Sequence, residues 1–253
     1  MNTLKNKVAI ITGGSGGIGK ATAKLFLAEG AKVVLVDIDE AQLKAAVADL
    51  KSKDVAYYKA DVSKASEVKA YTDYTLSTFG KIDIFFNNAG IEGVAKPIAE
   101  YPEAMFDKVV AVNIKGVWLG CQHVMPKMTE GGSVMITSSV AGLKGFAGLG
   151  AYVASKHAEI GIMRVAALEF AGRKIRVNTI HPGPVNTRMM RSLEADISPN
   201  DAEAAKKGFE AIIPFGRYAE ANEIAELALF LASDQSKYIT GTQQVVDGGL
   251  MAG

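Results

Sequence analysis

Apolar residues along this chain fall into two alternating patterns: short continuous runs, and longer stretches with helical spacing. The runs Val8–Thr12, Lys32–Asp37, Val55–Lys59, Ile82–Asn87, Ser133–Thr137, Arg176–Ile180 and Gln243–Val246 are rich in β-branched residues and read as strands. Several are apolar almost throughout, as expected when helices cover both faces of a parallel sheet. Ile18–Glu29, Glu40–Leu50, Ala65–Thr78, Pro102–Met128, Ala151–Phe170 and Asn222–Ala232 read as helices between them. Strand–helix alternation with right-handed crossovers predicts an α/β fold: a Rossmann-like, doubly wound, mainly parallel seven-stranded sheet flanked by helices on both faces. No linker or repeat interrupts the pattern, so one domain over residues 1–253 is expected. The connection at about 183–214 is long and mixes Pro, Gly, Asn and Met with a short helical pattern. Insertions of that length after a strand often serve as binding loops, and a substrate loop is expected there.

Composition narrows the function classes. At 49% hydrophobic and 22% charged residues, the 253-residue chain can fill a large core. A net charge of +1 without a basic block argues against nucleic acid or an anionic membrane as partner. The longest uncharged run, Gly131–Leu143, has 13 residues, too few to span a bilayer. An apolar strand begins at Val8, which leaves no room for a signal peptide, so a cytoplasmic location is expected. Cys121 is the single cysteine and His123, His157 and His181 lack ligand spacing, so no metal site is expected. Trp118 and Cys121 read as packing residues.

Directly after the first strand comes Gly13-Gly14-Ser15-Gly16-Gly17-Ile18-Gly19, opening a helix. Such glycines allow a tight turn and let backbone amides approach a pyrophosphate. Two registers fit: Gly14, Gly16 and Gly19 as G-x-G-x-x-G, or Gly13, Gly17 and Gly19 as G-x-x-x-G-x-G. Asp37 ends the second strand, where a carboxylate can accept bonds from an adenosine ribose, although it could also cap the next helix, for which Asp39 is the better placed. Ile38 follows it, and no Arg or Lys lies within Gly13–Gly19 to neutralise a 2′-phosphate. NAD is therefore favoured over NADP.

Tyr152 and Lys156 stand at i and i+4 in the helical stretch Ala151–Phe170, on one face and one turn apart. The same spacing also suits an ordinary surface pair. An ammonium about 5 Å from a phenol at an effective dielectric near 20 favours the phenolate by roughly 3 kcal/mol. That would lower the phenol from about 10 toward the range of a general base at neutral pH.

Taken together, these residues resemble the short-chain dehydrogenase/reductase family, of its single-domain subtype, over essentially the full length. Thr12-Gly13 through Gly17-Ile18-Gly19 is similar to the family's cofactor loop, which selects the second glycine register. Asp61-Val62 resembles its adenine-contacting pair, Asn87-Asn88-Ala89-Gly90 its fourth-strand motif, and Pro182-Gly183 with Val185 and Thr187 the segment holding the nicotinamide. Asn113, Ser139, Tyr152 and Lys156 are similar to its catalytic tetrad. The resemblance implies that Tyr152 is general base for alcohol oxidation and general acid for ketone reduction. It implies that Lys156 lowers the Tyr152 pKa and binds the nicotinamide ribose, and that Ser139 bonds the substrate oxygen. Asn113 would position Lys156 through an ordered water.

Substrate-facing residues should follow strands four to six, with Glu92, Leu143, Phe146, Leu149, Met189 and Met190 as candidates beside Ser139 and Tyr152. Their mostly apolar character suggests a small hydrophobic or cyclic secondary alcohol or ketone. Two alternatives stand beside it: a 3-oxoacyl thioester reductase, whose usual NADPH preference Asp37 disfavours, and a catalytically silent NAD-binding regulator. The resemblance also implies a homotetramer pairing through Pro102–Met128 and Ala151–Phe170.

Overall fold

The computed structural model describes residues 2–253. Seven strands, β1 (Val8–Thr12), β2 (Lys32–Asp37), β3 (Val55–Lys59), β4 (Ile84–Asn87), β5 (Ser133–Thr137), β6 (Arg176–Pro182) and β7 (Gln243–Val246), form one parallel sheet in the order β3-β2-β1-β4-β5-β6-β7. The order reverses between β1 and β4, which opens a crevice at the carboxyl ends of those two strands.

Alternation within each strand divides the core in two. Ile10, Val34, Phe85, Val134 and Ile136 face α3 (Ala65–Phe79), α5 (Gly116–Val124) and α6 (Gly150–Glu169). Their neighbours Ile11, Leu35, Phe86 and Met135 face α1 (Gly17–Ala28), α2 (Glu40–Leu50) and α9 (Ala221–Ala232). Both faces are thus covered, which explains the uninterrupted apolar runs. Among the described residues, no helix is long and apolar enough to cross a membrane.

Three departures from the sequence reading have local causes. β4 begins at Ile84, because the buried Asp83 carboxylate accepts from Val8 N (2.8 Å) and Thr129 Oγ1 (2.9 Å) at the strand entrance. The stretch expected as one helix over Pro102–Met128 is divided into α4 (Glu103–Val109), a π-helical segment (Val110–Lys115) and α5, followed by a tight 3₁₀ turn. Asn113 lies in the π-helical segment, where the wider coil accompanies the tertiary bonds of its amide. The 183–214 connection holds two helices rather than one, α7 (Arg188–Ile197) and α8 (Ala202–Ile212), the second capped by the Asp201 carboxylate.

Asn88 fastens the three strands that border the crevice. Its N–H donates to Thr12 Oγ1 (2.9 Å), its Nδ2 to Thr12 O (3.0 Å), and its Oδ1 accepts from Thr137 Oγ1 (2.9 Å). Replacing Asn88 by Ala removes both side-chain links and leaves Thr12 O and Thr137 Oγ1 short of a partner. A loss of roughly 1–3 kcal/mol is expected, read in denaturant unfolding as a lower midpoint at unchanged slope.

Candidate active site

At the β1–α1 turn, Gly13 has φ +63°, and a Cβ on Gly19 would stand 2.3 Å from Gly13 O. These two positions belong to the second of the glycine registers above. Gly16 precedes α1 without a side-chain cap, and the first turn of α1 carries no acidic residue. Its leading amides are therefore available to an anion, as a pyrophosphate requires. At the end of β2, Asp37 Oδ2 accepts from Ser15 Oγ (2.6 Å) and Ser15 N (3.2 Å), and Oδ1 accepts from Ile38 N (2.8 Å). The carboxylate thus anchors the glycine loop, and Ile38 beside it is largely exposed. Asp39 caps α2 by accepting from Gln42 N (3.0 Å).

The other nucleotide candidates gather on the same edge. Asp61 is held by Ser63 N (3.0 Å) and Ser63 Oγ (2.7 Å), and Val62 packs so closely on Gly116 that a Cβ there would stand 2.9 Å from it. Ala89 N donates to Thr12 Oγ1 (3.0 Å). Gly90 leaves clear the space in front of Asn113 Oδ1 and Lys156 Nζ, 3.4 and 3.5 Å from where its Cβ would be. After β6, which includes Pro182, Gly183 N donates to Val246 O (3.0 Å), and Val185 bridges to Ala219. Thr187 then begins α7 with its methyl against Gly17. The segment 182–187 therefore meets the glycine loop at Thr187 and Gly17.

α6 carries the reactive groups past the ends of β5 and β6. Lys156 is 3% exposed, and its Nζ donates to Thr137 O (2.8 Å) and to Glu159 Oε1 (2.9 Å). An ammonium has three N–H donors, so one remains for a ribose hydroxyl. Nζ lies 5.5 Å from the centre of the Tyr152 ring. Ser139, at the turn after β5, is fixed by the buried His181, whose Nδ1 contacts Ser139 O (2.7 Å) and whose Nε2 contacts Thr179 Oγ1 (2.8 Å). Asn113 is fully buried; its Oδ1 accepts from Ile91 N (2.9 Å), and its Nδ2 donates to Ile91 O (2.9 Å) and Ser155 Oγ (3.0 Å). Its side chain thereby locks the loop after β4 to α6.

Lys156 lowers the Tyr152 phenol as expected, but the net direction is upward. Burial pushes the Tyr152 phenol up, and Glu159 and Glu92 push the same way. Lys156 and a hydrogen bond with Ser139 pull it down, but desolvation outweighs both. Helical spacing pairs the phenol with Lys156 alone and carries no cost for burying it. That pairing leaves out Glu159, whose signal is present in the sequence as an acid three residues beyond Lys156 on the same helical face.

Among substrate candidates, Glu92 lies with Gly93, Val94, Leu193 and Asp196 around a cavity of about 330 Å³ between the loop after β4 and α7. Leu143, Leu149, Met189 and Met190 are half-buried. Phe146 instead lines a groove of about 530 Å³ with Val153, Ala154 and His157, on the side of α6 turned away from Tyr152. Cys121 is buried as expected, whereas Trp118 is 53% exposed and is not a core residue.

Residues 13–251 match the family model described as enoyl-(acyl carrier protein) reductase. The chain is 41% identical over 253 residues to levodione reductase of Leifsonia aquatica, covering 98% of this chain and 95% of that one. A crystal structure of levodione reductase superposes with a TM-score of 0.95, over 98% of this chain and 99% of that chain. Cyclohexanol dehydrogenase of an Acinetobacter species is 36% identical, with 98% and 96% covered, and a 3-oxoacyl-[acyl-carrier-protein] reductase of Thermotoga maritima 38%, with 98% and 99% covered. The chain belongs to the short-chain dehydrogenase/reductase family, as an oxidoreductase acting on alcohols with a nicotinamide cofactor.

Proposed function

We propose that this chain interconverts a small cyclic secondary alcohol and its ketone, using NAD. The observation that carries the reading is the convergence of Tyr152, Ser139 and the buried Lys156 ammonium beside the glycine loop. A bound nicotinamide supplies hydride exchange with the carbinol carbon. The protein's part is the proton: in oxidation the Tyr152 oxygen takes it from the substrate hydroxyl, and in reduction returns it to the carbonyl oxygen. The single hydroxyl hydrogen of Ser139 favours the ionised phenol while it points to Tyr152, and turns to the substrate oxygen once substrate is bound. Lys156 offers its remaining N–H to the ribose and keeps a positive charge near the phenol. Because burial raises the Tyr152 pKa, oxidation should accelerate with rising pH until the phenol ionises, and reduction should slow through the same range.

Two relatives bear names of cyclic substrates, levodione and cyclohexanol, and the apolar side chains Leu143, Leu149, Met189 and Met190 suit such a ring. The acyl-carrier relative keeps a 3-oxoacyl thioester as the second reading. Against it, Glu92 and Asp196 border the 330 Å³ cavity and would repel an anionic carrier arm. NAD is preferred because a carboxylate at the end of β2, Asp37, would repel a 2′-phosphate, and no Arg or Lys lies within Gly13–Gly19 to neutralise one. Large apolar side chains exposed on α4, α5 and α6 (Phe106, Trp118, Val165 and Leu168) support assembly as a homotetramer through those helices.

Three measurements follow. Cyclic secondary alcohols and diketones assayed by NADH absorbance should turn over; Tyr152→Phe should lower kcat by about 10²–10⁴-fold while NADH still binds, and wild-type turnover would remove Tyr152 from the chemistry. Fluorescence titration should show tighter binding of NADH than of NADPH, with the reverse order defeating the cofactor assignment. Sedimentation should give a species near four times the 26.7 kDa chain mass, not the monomer.

A further inference from the structure

Glu159 is fully buried, and the chemistry above gives it no part. It follows Lys156 by three residues and Tyr152 by seven, so all three side chains leave α6 within about 60° of one another. One carboxyl oxygen accepts from Lys156 Nζ at 2.9 Å; the other has no hydrogen-bond partner. A structural counter-ion would be expected to have both oxygens satisfied, since a half-solvated buried carboxylate is costly. This one instead lies against the single cation that acts on the Tyr152 phenol.

We infer that Glu159 is a positioning residue for proton transfer: its carboxyl group holds the Lys156 ammonium and shares that ammonium's charge with the Tyr152 phenol, so that its protonation state sets how readily Tyr152 releases its proton. The inference rests on Tyr152 being the proton-transfer group. Burial pushes the Glu159 carboxyl up to about 7 although Lys156 pulls it down, so its charge changes near neutral pH. Lys156 stays an ammonium: burial acts to lower it, but Glu159 and Tyr152 together raise it.

The surroundings leave few competing charges. From the turn after β5, Ser138 donates its hydroxyl to Lys156 O (2.9 Å), and Ser139 meets the phenol. From the loop after β4, Glu92 acts on Tyr152. From β6, His181 is held toward its neutral form by burial. From α5, the Cys121 thiol is pushed up to about 12 by burial and carries no charge at neutral pH. Asn113, from the π-helical segment, is neutral, and His157 on α6 turns its Nδ1 to Val153 O (2.9 Å).

The sign follows directly. An ionised Glu159 opposes the phenolate; a protonated or amide side chain at 159 leaves Lys156 acting on the phenol alone. Glu159→Gln, nearly isosteric, should therefore move the acid limb of kcat/KM for alcohol oxidation to lower pH by on the order of one unit. KM for NAD should change less than kcat at the low end of that limb. Phenolate absorbance of the cofactor-free protein gives a second readout, the Tyr152 step being isolated by subtracting the matching Tyr152→Phe protein in each background. That step should lie at lower pH in Glu159→Gln than in wild type. Coincident steps would reduce Glu159 to a structural counter-ion, and a step at higher pH would mean that it only keeps Lys156 charged; either overturns the inference. A protein that oxidises no alcohol fails the functional reading instead, and the absorbance titration still decides this one.

Discussion

The arrangement depends on keeping one ammonium out of water. Lys156 is almost completely buried, and a lone charge there would be lost to neutralisation. Three groups keep it charged or satisfied: the Thr137 carbonyl at the end of β5, the Glu159 carboxylate on its own helix, and the Tyr152 ring one turn earlier. Each comes from a different constraint. Thr137 O is available because β5 ends there, so its carbonyl is free of the ladder. Glu159 is available because α6 is long enough to continue past the site. Burying the charge thereby fixes the angle at which α6 crosses the sheet edge, and with it the position of the phenol.

The crevice beside this cluster is built by small polar links between strand ends rather than by bulk packing. Thr12 and Asn88 join β1 to β4, Thr137 joins Asn88 to β5, and Thr137 O in turn meets Lys156. The nucleotide wall and the proton-transfer group are therefore two ends of one hydrogen-bonded chain. Thr12, Asn88 and Thr137 all stand at the ends of strands around the topological switch between β1 and β4.

Much of this was legible in the sequence because the strands are apolar on both sides and the helices between them are periodic. Seven strands and their order of appearance follow from pattern alone, as do the glycine turn and the Tyr152–Lys156 face. What pattern could not supply was tertiary. Asp83 shortens β4 from outside the strand; the π-helical coil at Val110–Lys115 accompanies bonds from Asn113 to a loop more than twenty residues earlier. The exposure of Trp118 depends on which neighbours reach α5. The direction of the Tyr152 shift required knowing how the fold desolvates the phenol and that an acid shares the ammonium, a competition that spacing cannot settle.

The segment carrying Met189 and Met190 is secured away from the reacting groups. Asp196 on α7 accepts from the Ala95 amide, and the buried Glu194 accepts from Tyr218 Oη (2.8 Å) and Arg191 (2.7 Å), with Arg191 over the Tyr218 ring. These links tie α7 to the loop after β4 and to the approach of α9, not to Tyr152, Lys156 or Asn113. Width and polarity of the proposed substrate cavity thus rest on one group of contacts and the proposed proton transfer on another. Changes along α7 can alter which ring fits without disturbing the ammonium. A change at Thr137 or Glu159 would alter the proton chemistry for every substrate alike.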